Sequence, residues 1–393
     1  MARPTFVAWH NLVNDYSRTG IALAGICFSL LMTFLQLGLL DATLRTATVV
    51  LDKLDFDVVI VARHYHYLAD AGSFPRSRIR QALAVQEVLS AVPLYVRSGT
   101  WRSLGPPGEG GEVWKRRPIL VLGCDPSERP FRSTASDEST GLDQNFDLLS
   151  EPGALLVDRM SRKEFGPLVT GTEVQLNHER FEIAGQFRMG TGFAADGAAL
   201  LGSRNFTRAF GPSALERTTF GLVRIQDPTR ATVVAQQLRT MLPVQDIRVF
   251  TRSEIMKREQ FYWVREKAIG SLFVMGVVIS FLVGLVVVYQ VLSSDIADHL
   301  GEYATLKAIG HGSARVRSIV IQQALILGMM GYGLALVLAV PLYIWVEHWA
   351  NLSMSLAWWI LLIPAILSCV MTTGSGLLSI RKISMADPAD LFR

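Results

Sequence analysis

Four long apolar runs stand apart from the rest of this sequence. The first, Ile21 to Leu40, carries no charge and one strongly polar side chain, Gln36. About 20 residues at 1.5 Å rise cover the roughly 30 Å hydrocarbon core of a bilayer, so the run predicts a spanning helix. Ile269 to Leu292, Ile319 to Val346 and Ala357 to Ile380 are of the same kind. The third contains Pro341 and the fourth Pro364. Each proline removes a backbone donor and predicts a local kink, which neighbouring helices in a bundle can accommodate.

Between the first two runs the pattern changes to short strands, helices and turns. Asp57–Val61, Ile119–Gly123, Ala154–Val157, Phe220–Ile225 and Ile247–Phe250 read as strands. Val174–Leu176 and Phe181–Ala184 flank a predicted hairpin turn at Asn177–Arg180. Ser77–Val85 and Thr229–Met241 read as helices, the second opened by Pro228 and ended by Pro243. This is an α+β pattern, long enough for its own core and for two subdomains. Gly105–Gly111 and Ser133–Asn145 read as exposed loops or a lobe boundary.

Thr251 and Glu254 have the spacing of a capping box. Behind them Lys257, Arg258, Glu259, Arg265, Glu266 and Lys267 alternate in sign, with no breaker before Gly270. The expectation is a continuous stalk helix rising about 25–30 Å above the membrane. Glu254, Arg258 and Arg265 are its candidate functional residues.

Charge sets the predicted orientation. The loop Glu347–Ser355 has no Lys or Arg, whereas the loop between runs two and three carries Lys307, Arg315 and Arg317, and the tail carries Arg381, Lys382 and Arg393. The positive-inside rule puts that basic loop, the tail and, across four spans, the N-terminus in the cytoplasm. The Arg-rich middle then lies outside, since long translocated segments escape the rule. Tyr262, Trp263, Trp345, Trp349, Trp358 and Trp359 all fall at the outer interface on this topology. Phe6, Trp9, Val13 and Tyr16 recur at helical spacing and predict an amphipathic surface helix, with a frayed terminus as the alternative. Run one exceeds the usual ~7–15-residue signal-peptide core and reads as an uncleaved anchor.

The predicted fold class is an α-helical four-span membrane protein, 1+3 spans, with a large α+β extracytoplasmic domain between the first and second. Its segments are a cytoplasmic amphipathic helix (1–19), span one (20–45), the periplasmic α+β domain (46–250), the stalk helix (251–268) and span two (269–293). A cytoplasmic coupling segment (294–318), span three (319–346), a short periplasmic loop (347–356), span four (357–380) and a cytoplasmic tail (381–393) complete it.

Composition agrees: 50% of residues are hydrophobic and the mean hydropathy is +0.30. The net charge of +4 shows no basic stripe interleaved with aromatics, which argues against a nucleic-acid partner. Cys27 and Cys369 lie in apolar runs and Cys124 alone lies in the middle, so no disulfide can form within that middle and no Cys-x-x-Cys occurs. His64 and His66 would share one face of a strand, but no third metal ligand is identifiable beside them. Gly-x-Ser-x-Gly, His-Glu-x-x-His and the P-loop pattern are all missing. No Asp, Glu, Lys or Arg lies well inside a run, which weakens proton-relay readings. Gln36, Gln290, Gln322, Gln323, Thr372 and Thr373 are expected to bond helix to helix, and Gly276, Gly284, Gly328 and Gly331 to allow close helix approach.

In the inner loop Ile296, Leu300, Tyr303 and Leu306 fall at helical spacing, Gly310 suits a left-handed helix end and Ser313 a cap. The pattern fits either an interfacial helix on lipid or a docking helix for a cytoplasmic partner. SDIADHLGEYATLKAIG, ending at Gly310, resembles the coupling-loop motif of the FtsX/MacB-type ABC permeases (type VII), most of all the DevC branch. Phe281–Leu292, Glu164–Pro167, the Gly190–Gly197 loop and Ala386–Phe392 are also similar to DevC-type proteins, as is the order of elements.

That resemblance implies a homodimeric, non-catalytic permease of the inner membrane. It would dock a separate ABC ATPase that binds ATP and Mg, and this chain would bind no cofactor itself. Asp298, Glu302, Leu306, Lys307 and Gly310 are the implied ATPase contacts. Motion of the outer domain would then drive a lipid, glycolipid or similar cargo through a HlyD-like adaptor and, indirectly, a TolC-like outer-membrane channel, a mode called mechanotransmission. Gly190, Phe193 and Asp196 mark a loop that either meets adaptor or cargo or serves only backbone turns. The alternative is an FtsX-like signalling module that controls a periplasmic partner.

Overall fold

The computed structural model describes residues 16–106, 114–132, 141–190, 195–243, 245–298, 313–350 and 354–385. Its first elements are α1 (Tyr16–Lys53), β1 (Val58–Ala62), β2 (Phe74–Pro75), α2 (Ser77–Ala82), β3 (Val88–Ser103), β4 (Arg117–Cys124), α3 (Leu142–Asn145) and β5 (Ala154–Asp158). Then come β6 (Glu173–Leu176), β7 (Glu179–Phe187), β8 (Ala198–Gly202), α4 (Ser203–Phe210), β9 (Arg217–Thr218) and β10 (Phe220–Ile225). The chain continues with α5 (Ala231–Met241), β11 (Ile247–Thr251), α6 (Arg252–Phe261) and a π-helical turn, Tyr262–Glu266. It closes with α7 (Ile269–Asp298), α8 (Ser313–Ala350) and α9 (Trp358–Met385). Two compact units result: Thr43–Lys267, and the remainder on either side of it.

The span unit holds apolar helices of crossing length. The candidate spans are Thr19–Lys53, Ile269–Ser294, Val320–Trp349 and Trp358–Ser379. The helices run through Pro341 and Pro364. Lipid tails are as apolar as Leu, so helices in a bilayer associate through close contact and hydrogen bonds. Ser29 donates to Ser280 O (2.5 Å), Ser368 to Gly328 O (3.0 Å), Ser375 to Leu285 O (2.8 Å) and Tyr332 to Leu361 O (3.1 Å). Tyr343 donates to Phe34 O, and Ser355 reaches the buried Asp41 carboxylate at 2.9 Å. Two of the expected polar residues differ: Thr372 bonds Ser368 O and Gln322 bonds Ser318, each in its own helix. A hydroxyl one turn from a carbonyl of its own helix needs no partner chain, so the cross-links fall to serine and tyrosine instead. Gly284 and Gly331 mark the close approaches, since a Cβ would collide with Ser29 and Met371 at the first and with Ile26 at the second.

The α+β unit is organised by β3, a strand of 16 residues. Its first half pairs with β10, its second half with β4, and its last residues with β6. Pairings β3–β4–β8–β5–β7–β6 and back to β3 close a ring of six strands, while β11–β1–β10 extends the sheet from the other half of β3. All six ring strands send side chains into one core with Trp101 and Phe165. A second core lies between the four-stranded part and helices α2 and α5, around Ile60, Val223, Ile79 and Leu238. A third joins Val59, Val61, Phe220 and Leu222 to Val50 and Leu51 of α1 and Ile255 of α6. The predicted hairpin forms as β6 and β7, with Asn177 in the left-handed region at φ 56°. The predicted strands and helices appear within a few residues, whereas β3 and β8 arise where none was expected.

One expectation fails outright. The segment 251–268 is not a continuous stalk: α6 ends at Phe261, a π-helical turn follows, and Ala268 has φ 57° before α7 begins. Nor does α6 project, because Ile255 and Glu259 are fully buried in the α+β unit. Its alternating charges find partners there, as described below. The amphipathic helix expected for 1–19 lies mostly outside the described residues; of the coupling segment expected at 294–318, 294–298 end α7, 313–318 begin α8, and 299–312 lie outside the described residues.

Replacing Gly284 by Leu forces a side chain between α7, α1 and α9. It should destabilise the protein by about 1–3 kcal/mol. Thermal unfolding of the full chain in detergent reads this, and an unchanged Tm would show that the helices do not meet there.

Candidate coupling site

The residues 251–267 and the segments that hold them form a polar cluster in the α+β unit. Thr251 caps α6: its hydroxyl accepts from Glu254 N (3.3 Å) and Glu254 Oε2 accepts from Thr251 N (2.8 Å). The same carboxylate pairs with Arg239 of α5 at 2.6 Å, and Arg239 Nε donates to Val249 O at 2.9 Å. β11 is the free edge of the sheet, so this ion pair satisfies edge groups that another strand would otherwise claim.

Arg252 opens α6 and turns toward the end of α1. It donates to Asp52 O (2.9 Å), Leu54 O (2.9 Å), and, more loosely, Leu51 O and Phe56 O (both 3.4 Å). Its guanidinium lies 4.9 Å from the Phe56 ring centroid and 3.7 Å from Asp52 Oδ1.

At the other end of α6, Glu259 is fully buried. One carboxylate oxygen accepts from the Tyr65 hydroxyl and the other, Oε2, has no protein partner. Burial pushes this carboxyl up to about 7, against the opposing pull of the Tyr65 hydroxyl, the Leu68 amide and Arg258. Burial first, then Glu259, hold the Tyr65 phenol well above its usual range. Arg258 donates to Tyr65 O at 3.1 Å and stands 5.9 Å from the Phe250 ring. Beyond it the π turn brings Tyr262 into a stack with Tyr67 (4.4 Å) and Trp263 edge-on to Tyr67 (5.7 Å), with Lys267 Nζ 5.8 Å from both tyrosine rings.

A second constellation lies at the feet of the 190–197 loop. Asp158, at the end of β5, accepts from the amides of Met160 (3.0 Å), Met189 (3.2 Å) and Gly190 (2.7 Å). Burial raises its carboxyl above the usual range even so. At the far foot Arg162 pairs with Asp196 at 3.0 Å and Ala198 N donates to Ser161 (3.2 Å). The segment 158–162 thus fixes both ends of the loop.

The C-terminal part of the chain matches a family model. Residues 274–388 fit the FtsX-like permease C-terminal family. The chain is a four-span membrane protein whose residues 274–388 are similar to the FtsX-like permease C-terminal family. In fold, the chain is similar to the extracellular domain of the noncanonical ABC-type transporter YknZ from Gram-positive bacteria, with 14% identity over 46% of this chain and 90% of that one, TM-score 0.30. It is also similar to the periplasmic region of MacB from Actinobacillus actinomycetemcomitans, with 13% identity over 53% of this chain and 94% of that one, TM-score 0.33. No curated protein matches the chain in sequence.

The matched residues take in most of α7, all of α8 and α9, and the segment 299–312 between α7 and α8. Of the expected ATPase contacts, Asp298 is the last residue of α7, and Glu302, Leu306, Lys307 and Gly310 lie outside the described residues. Glu254, Arg258 and Arg265 gather on the α6 segment, the last beside Phe261 at 5.6 Å. Gly190 and Asp196 are the feet of their loop, and Phe193 lies outside the described residues. His64 and His66 are exposed in the turn after β1, not aligned on a strand. Sequence reasoning missed Arg252, Asp158 and the Tyr65–Glu259 pair. The one signal available for Glu259 was its spacing, four residues after the apolar Ile255 and so on the same helix face.

Glu259 carries a pH signature. Its folded-state pKa is raised, so between about pH 4.5 and 7 the folded chain holds a proton that the unfolded chain releases. Stability from this group is therefore present in acid and is lost as pH rises through that window, by up to about 3 kcal/mol. Glu259→Gln should flatten that part of the Tm-against-pH curve. A variant whose curve runs parallel to the native one would contradict the assignment.

Proposed function

We propose that this chain is the permease subunit of an ABC exporter. ATP hydrolysis by a separate ATPase moves the spans, and the α+β domain relays that motion to cargo on the far side of the inner membrane. The observation that carries this is an FtsX-like match over residues 274–388 in a chain whose first span, α1, continues as one helix into the α+β unit as far as Lys53. Mechanotransmission needs a stiff connection, and a helix of 38 residues is one.

On this reading the termini and the 294–318 segment are cytoplasmic, and Asp298, Glu302, Leu306, Lys307 and Gly310 meet the ATPase. The α+β domain meets a HlyD-like adaptor that leads to a TolC-like channel, with Gly190, Phe193 and Asp196 as the candidate contacts. The permease acts as a homodimer, and its cargo is a lipid, glycolipid or similar amphiphile. The DevC-like inner loop and the order of elements support this finer reading.

Co-purification with the co-expressed ATPase tests it. The permease in nanodiscs should stimulate that ATPase, and Glu302→Arg should return hydrolysis to the level of the ATPase alone without loss of membrane insertion. Unchanged stimulation would remove Glu302 from the contact. Labelling by a membrane-impermeant maleimide at His178→Cys and Ser313→Cys should place the two positions on opposite sides, and a common side would end the proposal.

A further inference from the structure

The last carbonyls of a helix have no partner within it and must find one outside. α1 ends at Lys53 with Leu51 and Leu54 buried and Asp52 exposed, so its last carbonyls sit at the margin of the core. Arg252 supplies partners there. Its four donated hydrogen bonds reach Leu51 O, Asp52 O, Leu54 O and Phe56 O, and its own amide donates to Asp57 O at 2.9 Å. A cation at the carbonyl end of a helix also meets the negative pole of its macrodipole.

The side chain belongs to the first residue of α6, the helix that leads through the π turn to α7. The helix of span one and the segment leading to span two are therefore joined by a guanidinium beside the apolar core that Leu51 shares with Ile255. The charged groups around it are Asp52, Asp55 and Asp57 from the α1–β1 connection and Arg132 from the segment after β4, and Arg132 N donates to Lys53 O (2.9 Å).

We infer that Arg252 is the coupling residue through which α1 and α6 move as one body. The inference deepens the exporter reading and rests on it for the source of the motion. Arginine suits the role because its planar fork donates in two directions at once, whereas an ammonium is a point donor that cannot span four carbonyls.

Hydrogen exchange on the full chain in nanodiscs, with the co-purified ATPase, tests it in two arms. Without nucleotide, Arg252→Met should speed amide exchange across 51–57 about tenfold, as the loss of about one net hydrogen bond implies, while β4 and β8 keep their protection. Arg252→Lys should fall between, which preserves the test if the methionine variant does not fold. Unchanged exchange across 51–57 in either variant would overturn the clamp. With ATP and vanadate, the native complex should change exchange in both α1 and α6, and Arg252→Met should confine the change to α1. A response that still reaches α6 would reduce Arg252 to a helix cap and overturn the coupling. A native complex with no nucleotide response at all would instead defeat the exporter reading, and the first arm would still judge the clamp by itself.

Discussion

Backbone polar groups taken out of water must find partners, and helix ends are where this demand is hardest to meet. The demand is acute where α1 stops, because its final turns, Val50, Leu51 and Leu54, sit in the largest core of the α+β unit. A helix that entered solvent could leave its last carbonyls to water. Here Arg252 takes Leu51 O and Asp52 O while Arg132 N takes Lys53 O, and Arg252 is fixed in turn by the Thr251–Glu254 cap next to it and the Glu254–Arg239 pair along the free edge of β11. The end of one helix, the start of another and the protection of a sheet edge are thus one connected polar system in an otherwise apolar region.

The two crossings between the units are built differently. The first, at Ala42 and Thr43, lies within a single helix. The second, at Lys267 and Ala268, follows a π-helical turn and passes through a non-glycine residue at φ 57°. Placing an alanine in the left-handed region costs about 1–2 kcal/mol. The surrounding aromatic contacts, Tyr262 on Tyr67 and Lys267 beside both, belong to the residues that hold the chain in that conformation. One crossing is a rod and the other a joint.

What could be read from the residues follows from how local its cause is. Spans were legible because bilayer thickness alone sets a run of about 20 apolar residues. The β6–β7 hairpin was legible from its short turn. β3 was not, because its two halves serve different partners and its exposure alternates only from Ser98 onward, with Pro93 and Gly99 in its course. β8, Ala-Ala-Leu-Leu-Gly, has helix formers in a strand buried on both faces between β4 and β5, where tertiary pairing overrides propensity. The joint at Ala268 ran against propensity altogether, since alanine is the best helix former. Glu259 read as a surface charge because the tyrosine that buries it arrives from the turn after β1, far away in the chain.

These contacts hold α6 against the α+β unit. A free stalk would carry its charges in water and stand away from the sheet. α6 is instead fastened at its first residue to the end of α1 and, near its last turn, through Arg258 and Glu259 to the turn at Tyr65. Both fastenings lie in the α+β unit, so α6 can move only with that unit. Between α6 and α7 the backbone passes a π-helical turn and then Ala268 at φ 57°, whereas α1 has no such break before Lys53. The two connections of the α+β unit therefore differ in backbone, an unbroken helix at the first and an interrupted one at the second, where an uninterrupted helix from Thr251 to Gly270 was expected.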